Sequence, residues 1–194
     1  MTTYGAKNII PFPRQGESRI LQIRVDLLLV KEPVWRRLLV PDGIDFWELH
    51  VALQDAMGWE DCHLHQFVVD HPDSGERERI GVPDDSGFHG VSNIVPGWQK
   101  EVLPYLSGGG HPLLYTYDFG DDWRHEVILE EVREDDRALV LPSCIDGQGQ
   151  CPAEDSGGAP FWTPATGEDA AVFDPGAVVF ENPQRRWRRM FGKD

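Results

Sequence analysis

From Ile20 onward apolar and polar residues alternate. Leu21, Ile23, Val25, Leu27 and Leu29 interleave with Gln22, Arg24 and Asp26, the two-residue period of a half-buried strand. Lys31-Glu32-Pro33 turns the chain, and Val34 to Val40 reads as the hairpin partner. Pro41-Asp42-Gly43 ends that strand and the period changes. Phe46, Leu49, Leu53 and Ala56 or Met57 fall at i, i+3 and i+7, one face of a helix over 46–57. Asp45 is placed to cap its free amides, Glu48 completes a capping box, and Gly58 suits a left-handed stop.

Alternation returns at His63, His65, Phe67 and Val69, and His71-Pro72-Asp73-Ser74-Gly75 closes that strand with a turn. A charged strand near 76–82 and a short helix near 98–106 follow, with 83–112 otherwise patternless. Leu113–Phe119 and Trp123–Val132 form a second hairpin, for which Gly120-Asp121 suits a two-residue type II′ turn. That even-numbered loop makes Asp118 and His125 diagonal neighbours on one face, roughly 5–8 Å apart between Cβ atoms. An odd-numbered loop separates them. Ala138–Leu141 reads as a short strand, and 142–168, rich in Gly, Pro, Asp and Ser, as a long loop of the kind that is functional or pinned.

These elements predict an α+β fold: a mixed, mainly antiparallel sheet with a helix packed on one face and a long Gly/Pro-rich loop closing over it. The β-β-α-β opening allows a β-grasp-like core. Residues 1–18 carry no periodicity and read as a flexible N-terminal arm, 19–182 as a single domain, and 183–194 as a basic C-terminal tail. The 194-residue chain carries a net charge of −15, which opposes a broad grip on nucleic acid or anionic lipid. Residues 185–194 alone carry +4, leaving −19 on the rest. The tail either binds nucleic acid or lies across the protein's own acidic face, and proximity favours the second. No apolar run is long enough to span a membrane. No signal segment is visible, and three cysteines do not make a disulfide scaffold. A reducing, cytoplasmic setting is expected.

Candidate chemistry is sparse. There is no phosphate-binding loop, dinucleotide fingerprint or zinc helix. Glu154-Asp155-Ser156-Gly157-Gly158 lacks the context of a serine nucleophile. His63 and His65, on one strand face, with Asp118, Asp121 and His125 at a hairpin end, would suit a divalent ion such as zinc or manganese, or supply an acid or base. The same groups would equally serve as hydrogen-bonded structural residues. Six residues separate Cys144 from Cys151, wide for a structural zinc pair, and buried thiols often act as small hydrophobes. Trp187 with Arg185, Arg186, Arg188 and Arg189 could stack on bases and contact phosphates, or pack back as an amphipathic turn.

Several segments recur together in one family. Trp35-Arg36-Arg37, Leu49-His50, Gly58-Trp59, His63-Leu64-His65 with Phe67, and Tyr115-x-Tyr117-Asp118-Phe119-Gly120-Asp121-x-Trp123-x-His125 stand in this order. Cys144, Cys151-Pro152-Ala153-Glu154-Asp155-Ser156-Gly157-Gly158 and Phe173-Asp174-Pro175 follow. The chain resembles the plasmid pRiA4b ORF-3-like family over most of 20–180. It departs at Ala153, where a proline is usual, and at Ser156, where a cysteine is frequent. The resemblance implies a compact α+β domain carried on plasmids, chromosomes and insertion elements, sometimes under a resolvase-type label. It brings no established catalytic residues. A serine recombinase needs arginines around a nucleophilic serine, whereas here they gather at the tail.

The expected function is therefore an accessory or binding domain of mobile elements acting on a protein partner. The alternatives are a metal-dependent, hydrolase-like enzyme using the His/Asp site and a DNA-binding protein acting only through the basic tail.

Overall fold

A computed structural model describes residues 19–83, 93–108, 111–134, 139–164 and 172–192; the expected arm over 1–18 lies outside them. The eight strands are β1 Arg19–Leu27, β2 Trp35–Pro41, β3 His65–Asp70, β4 Arg77–Gly81, β5 Ile94–Pro96, β6 Leu113–Tyr117, β7 Trp123–Glu134 and β8 Ser143–Gln148. Three helices accompany them: α1 Phe46–Met57, α2 Leu103–Gly108 and α3 Pro183–Phe191. The strands form one open sheet in the order β5-β4-β3-β6-β7-β1-β2-β8. Only the β4–β5 pair is parallel, so the fold is α+β with a mixed, mostly antiparallel sheet. Among the described residues no helix is long and apolar enough to cross a membrane.

The early hairpin and the helix form where the hydrophobic periods put them. Ile20 faces Pro41 and Asp26 faces Trp35 across β1 and β2. Asp45 accepts from the Glu48 amide while the Glu48 carboxylate accepts from the Asp45 amide, and Gly58 takes φ 82 at the C-cap, a conformation that glycine enters without Cβ strain. The inner face of α1 (Phe46, Leu49, Leu53, Met57) shares a core with Ile23, Val25, Phe67, Tyr115 and Val127 of the sheet. Its outer face does not reach solvent, because Trp47 and Val51 pack against Trp98, Trp187, Met190 and Phe191. Two of α1's polar residues, His50 and Gln54, are thereby trapped inside, and buried polar groups must find partners.

Three expectations change. The second hairpin is joined by five residues, Asp118 to Asp122, with Asp118 at φ 53 and Asp122 at φ 57. The register pairs Tyr115 with His125 and Tyr117 with Trp123, so Asp118 and His125 are not diagonal neighbours. Aspartate tolerates the left-handed region better than most residues, which lets two of them replace the tight glycine turn. Of the short strand expected at 138–141, residue 138 lies outside the described residues and 139–141 are not in a strand; the strand that forms is β8, inside what reads as loop. Strand β2 offers a free edge, and the polar Ser-Cys-Ile-Asp-Gly-Gln segment pairs with it through a bulge at Arg37/Leu38. Edge pairing recruits segments of poor intrinsic strand preference. Finally, β3 begins at His65, leaving His63 on a bend ahead of it.

Candidate functional site

Two groups of metal-ligating side chains form within a few residues of each other in sequence. His63 Nε2 lies 2.9 Å from Asp155 Oδ1, 3.6 Å from Asp118 Oδ2 and 4.0 Å from Glu154 Oε2. The three segments that supply them are far apart in the chain, and each is fixed locally. Asp118 sits at the end of β6, its Oδ1 accepting from the Gly120 amide at 2.8 Å, so only Oδ2 is left to face His63. Glu154 is an anchor: Oε1 accepts from the Glu60 amide at 2.7 Å and from the Tyr117 hydroxyl at 2.9 Å. Burial and then the Glu154 carboxylate push the Tyr117 phenol upward, keeping it protonated as donor.

The rest of the loop is tied down beside this cluster. Trp59 Nε1 donates to the Pro152 carbonyl at 2.8 Å, and the Gly157 amide donates to Asp121 Oδ2 at 2.9 Å. Gly158 stands at φ 84 so close to the Asp121 carbonyl that a Cβ would lie 2.4 Å from its oxygen; no other residue fits there. Asp121 is thus a clasp for the loop.

One ligand atom from each of His63, Asp118 and Asp155 lies within 4.8 Å of the other two. A divalent ion with bonds near 2.1 Å holds tetrahedral ligands about 3.4 Å apart, within a small side-chain adjustment of this arrangement. The site is open to water, since the Asp155 side chain is 75% exposed and His63 31%. One imidazole among three carboxylates leaves a local excess of negative charge, which a cation would neutralise.

The second group is enclosed. His65 turns inward from β3 and stacks on His50 of α1, ring centroids 3.4 Å apart and planes 10° from parallel. Asp61, in a left-handed turn at φ 61, places its carboxylate 2.9 Å from His50 Nε2. Gln54 donates to the Tyr115 hydroxyl at 2.9 Å, so the hydroxyl gives its own proton to His50 Nδ1 at 2.9 Å and Nε2–H points at Asp61. Arg186 of α3 closes the chain, donating to Asp61 at 3.3 Å, to Glu181 at 2.5 Å and to Asp55. Burial alone would raise the Asp61 pKa, but His50, with His65 and Arg186, brings it down to about 2. Burial, then the neighbouring His50, pushes His65 well below its ordinary value. His50, Asp61 and His65 also lie within ligand distance of each other. Parallel rings 3.4 Å apart, however, aim their in-plane lone pairs along separate planes, which one ion cannot meet. This is a hydrogen-bonded core network with an arginine as its cation.

The five residues expected to converge therefore divide. His63 and Asp118 meet, Asp121 holds the loop beside them, and His65 belongs to the buried network. His125 belongs to neither group. It is enclosed by Trp59 and Tyr115, and neither ring nitrogen has a well-formed hydrogen bond among the described residues. Burial drops its pKa to about 3, against weak help from backbone groups of Tyr115 and Trp123. Cys144 and Cys151 are free thiols outside both groups; burial pushes Cys151 up to about 12. In the tail, Arg186 is buried, Trp187 packs on Trp47 and Trp98, Arg189 pairs with Glu181 at 2.9 Å, and Arg185 and Arg188 face solvent. The basic helix lies across its own acidic neighbours. Sequence reasoning missed His50, Asp61, Glu154 and Asp155 as site members. The available signals were polar residues inside the apolar stripe of α1 and an acidic pair in a glycine-rich loop.

An α+β sheet protein with a solvent-open His/carboxylate cluster, closed by a pinned loop, is the class these features define. The chain belongs to the plasmid pRiA4b ORF-3-like family, whose model matches residues 19–165. It is 32% identical over 142 residues to the uncharacterized protein y4hQ of Sinorhizobium fredii (strain NBRC 101917 / NGR234), covering 73% of this chain and 68% of that one. It is also similar to the crystal structure of MM3350 from Methanosarcina mazei Go1, a protein of unknown function, with a TM-score of 0.75 and 29% identity over 86% of this chain and 100% of that one. The family is uncharacterised, and these relatives are proteins of unknown function.

Proposed function

We propose that this protein is a non-enzymatic accessory domain that binds one divalent cation, of the zinc or manganese type, through His63, Asp118 and Asp155. Glu154 and Asp121 hold the loop in place. The observation that carries the reading is the convergence of three carboxylates on His63 Nε2, two within 3.6 Å and the third at 4.0 Å, from three separate segments. The mixed nitrogen and oxygen donors suit borderline ions. A hydrolase-like role through the expected histidines is disfavoured, since both His65 and His125 are shut away from solvent. A nucleic-acid role for the tail would have to rest on Arg185 and Arg188, since Arg186 and Trp187 are committed to the core. The β-grasp-like reading rests on the element order β1-β2-α1-β3 alone.

The test is calorimetric titration of metal-free protein with Zn²⁺ and with Mn²⁺, repeated on Asp118→Asn. Asparagine accepts φ 53 and the Gly120 hydrogen bond as aspartate does, so the fold is retained while the anionic ligand is lost. One ion per chain, with affinity reduced at least about tenfold in the variant, is expected. Absence of saturable binding, or identical binding by Asp118→Asn, overturns the reading.

A further inference from the structure

Trp35-Arg36-Arg37 and Phe173-Asp174-Pro175 contribute nothing to the cation cluster, yet they meet elsewhere. Arg36 points from β2 beneath the C-terminal end of α1 and is only 2% exposed. Its Nε donates to the Ala56 carbonyl at 2.9 Å, and its Nη1 to the carbonyls of Trp35 at 2.8 Å and Gln148 at 2.9 Å. The face of the guanidinium is covered by the Phe173 ring, 3.6 Å from its centroid. Phe173 in turn rests on Gly147, where a Cβ would come within 2.4 Å of the ring. Three donor positions are thus spent on backbone and one face on an aromatic ring. Nη2 donates to no acceptor among the described residues, and no described carboxylate forms an ion pair with Arg36.

A buried guanidinium without a counter-ion is costly. Burial accordingly depresses its pKa, opposed only by the neighbouring thiols of Cys151 and Cys144. A cavity of about 440 Å³ opens beside it, within the size range of small-molecule sites. Its walls are largely apolar: Met57, Phe173, Val178 and Val179. The two acids on its rim are already engaged. Asp55 accepts from the Glu181 amide and pairs with Arg186, and Asp174 caps the Gly176 amide at 2.9 Å.

We infer that this cavity is a second binding site, separate from the cation cluster, for a small organic monocarboxylate with an apolar body. The carboxylate takes the free Nη2 edge of Arg36 and the body lies along Met57, Phe173 and Val178. A charge-assisted hydrogen bond to a buried arginine is among the stronger polar contacts available. Apolar walls reward a hydrocarbon or aromatic tail. Asp55 is neutralised by Arg186, but the Asp174 carboxylate on the rim has no described cation beside it and disfavours a doubly charged phosphate more than a monocarboxylate.

The test uses the full chain with benzoate and hexanoate as probes, against benzamide, hexanol and inorganic phosphate, followed by ligand-observed NMR and calorimetry. Saturable binding of a carboxylate, at least about tenfold tighter than its neutral counterpart and than phosphate, is expected. Arg36→Gln should remove it. Because Arg36 also ties α1 to β8, that change can unfold the protein. Val178→Trp fills the cavity from its outer wall and should abolish binding while near-ultraviolet circular dichroism remains native. No saturable binding of either carboxylate overturns the inference. So does equal affinity for benzamide, preference for phosphate, or unaltered binding by a folded Val178→Trp. None of these variants touches His63, Asp118 or Asp155, so this inference and the cation reading fail separately.

Discussion

Asp61, His63 and His65 alternate along five residues and end in opposite environments. His65 and Asp61 are sealed under α1 with His50 and Arg186, whose guanidinium pairs with the carboxylates of Asp55, Asp61 and Glu181. Two residues away His63 is half-buried, among three carboxylates that no described arginine or lysine neutralises. Both groups satisfy a distance criterion for metal ligands. The difference lies in what already occupies each. The buried group holds a guanidinium and rings too parallel to share an ion. The exposed one holds unbalanced negative charge and an open side. Proximity of ligand atoms is thus a poor guide unless charge balance and lone-pair direction are counted as well.

The comparison breaks most visibly at Arg186. Arg186→Met leaves Asp55 and Asp61 buried without their cation, and stability measured by urea unfolding should fall by about 3–5 kcal/mol. A loss below about 1 kcal/mol would mean that the network does not hold α3 in place.

Acid should act next. His125 has a folded pKa of about 3 against an ordinary 6.5, so between those values the unfolded chain binds the extra proton. Stability is then fully present above pH 6.5 and declines as pH falls toward 3, by at most about 1.4 kcal/mol per unit from this residue. Asp61, with a folded pKa near 2 against 3.8, adds a loss of the same sign at still lower pH. Unfolding midpoints from neutral pH down to the mid-acid range should fall less steeply in His125→Phe, with the buried His65 supplying the slope that remains. Parallel curves for the two proteins would show that His125 is not the sensitive group.

The smallest effect belongs to the exposed cluster. In metal-free protein Asp155→Asn should alter stability by less than about 0.5 kcal/mol, since a largely solvated pair contributes little. A larger destabilisation would make the His63–Asp155 contact structural and weaken the contrast with the buried group.

Local signals wrote much of this fold. The alternation from Leu21 to Leu27, the Asp45/Glu48 capping box and Gly58 were each readable from neighbours a few positions away, and each formed. Strand β8 was not readable, because a free edge of β2, not the Ser143–Gln148 sequence, makes it a strand. The parallel addition of β5 to β4 came from a stretch without pattern. Half of the site was legible: His63 and Asp118 were named, whereas Glu154 and Asp155 lay in a loop whose return to His63 has no local signature.

By itself, then, the sequence determined where helix and strand periods begin and end, which residue types could bind a cation, and that a basic tail would have an acidic body to lie on. Those are properties of short windows and of total charge. The tertiary structure alone decided the partners: that His65 stacks on His50, that Asp61 faces Arg186, that His63 stays partly exposed, and that Arg36 lies beside a cavity. Such choices depend on contacts between segments from fifteen to more than a hundred residues apart, and on desolvation that no single segment experiences until the core has closed.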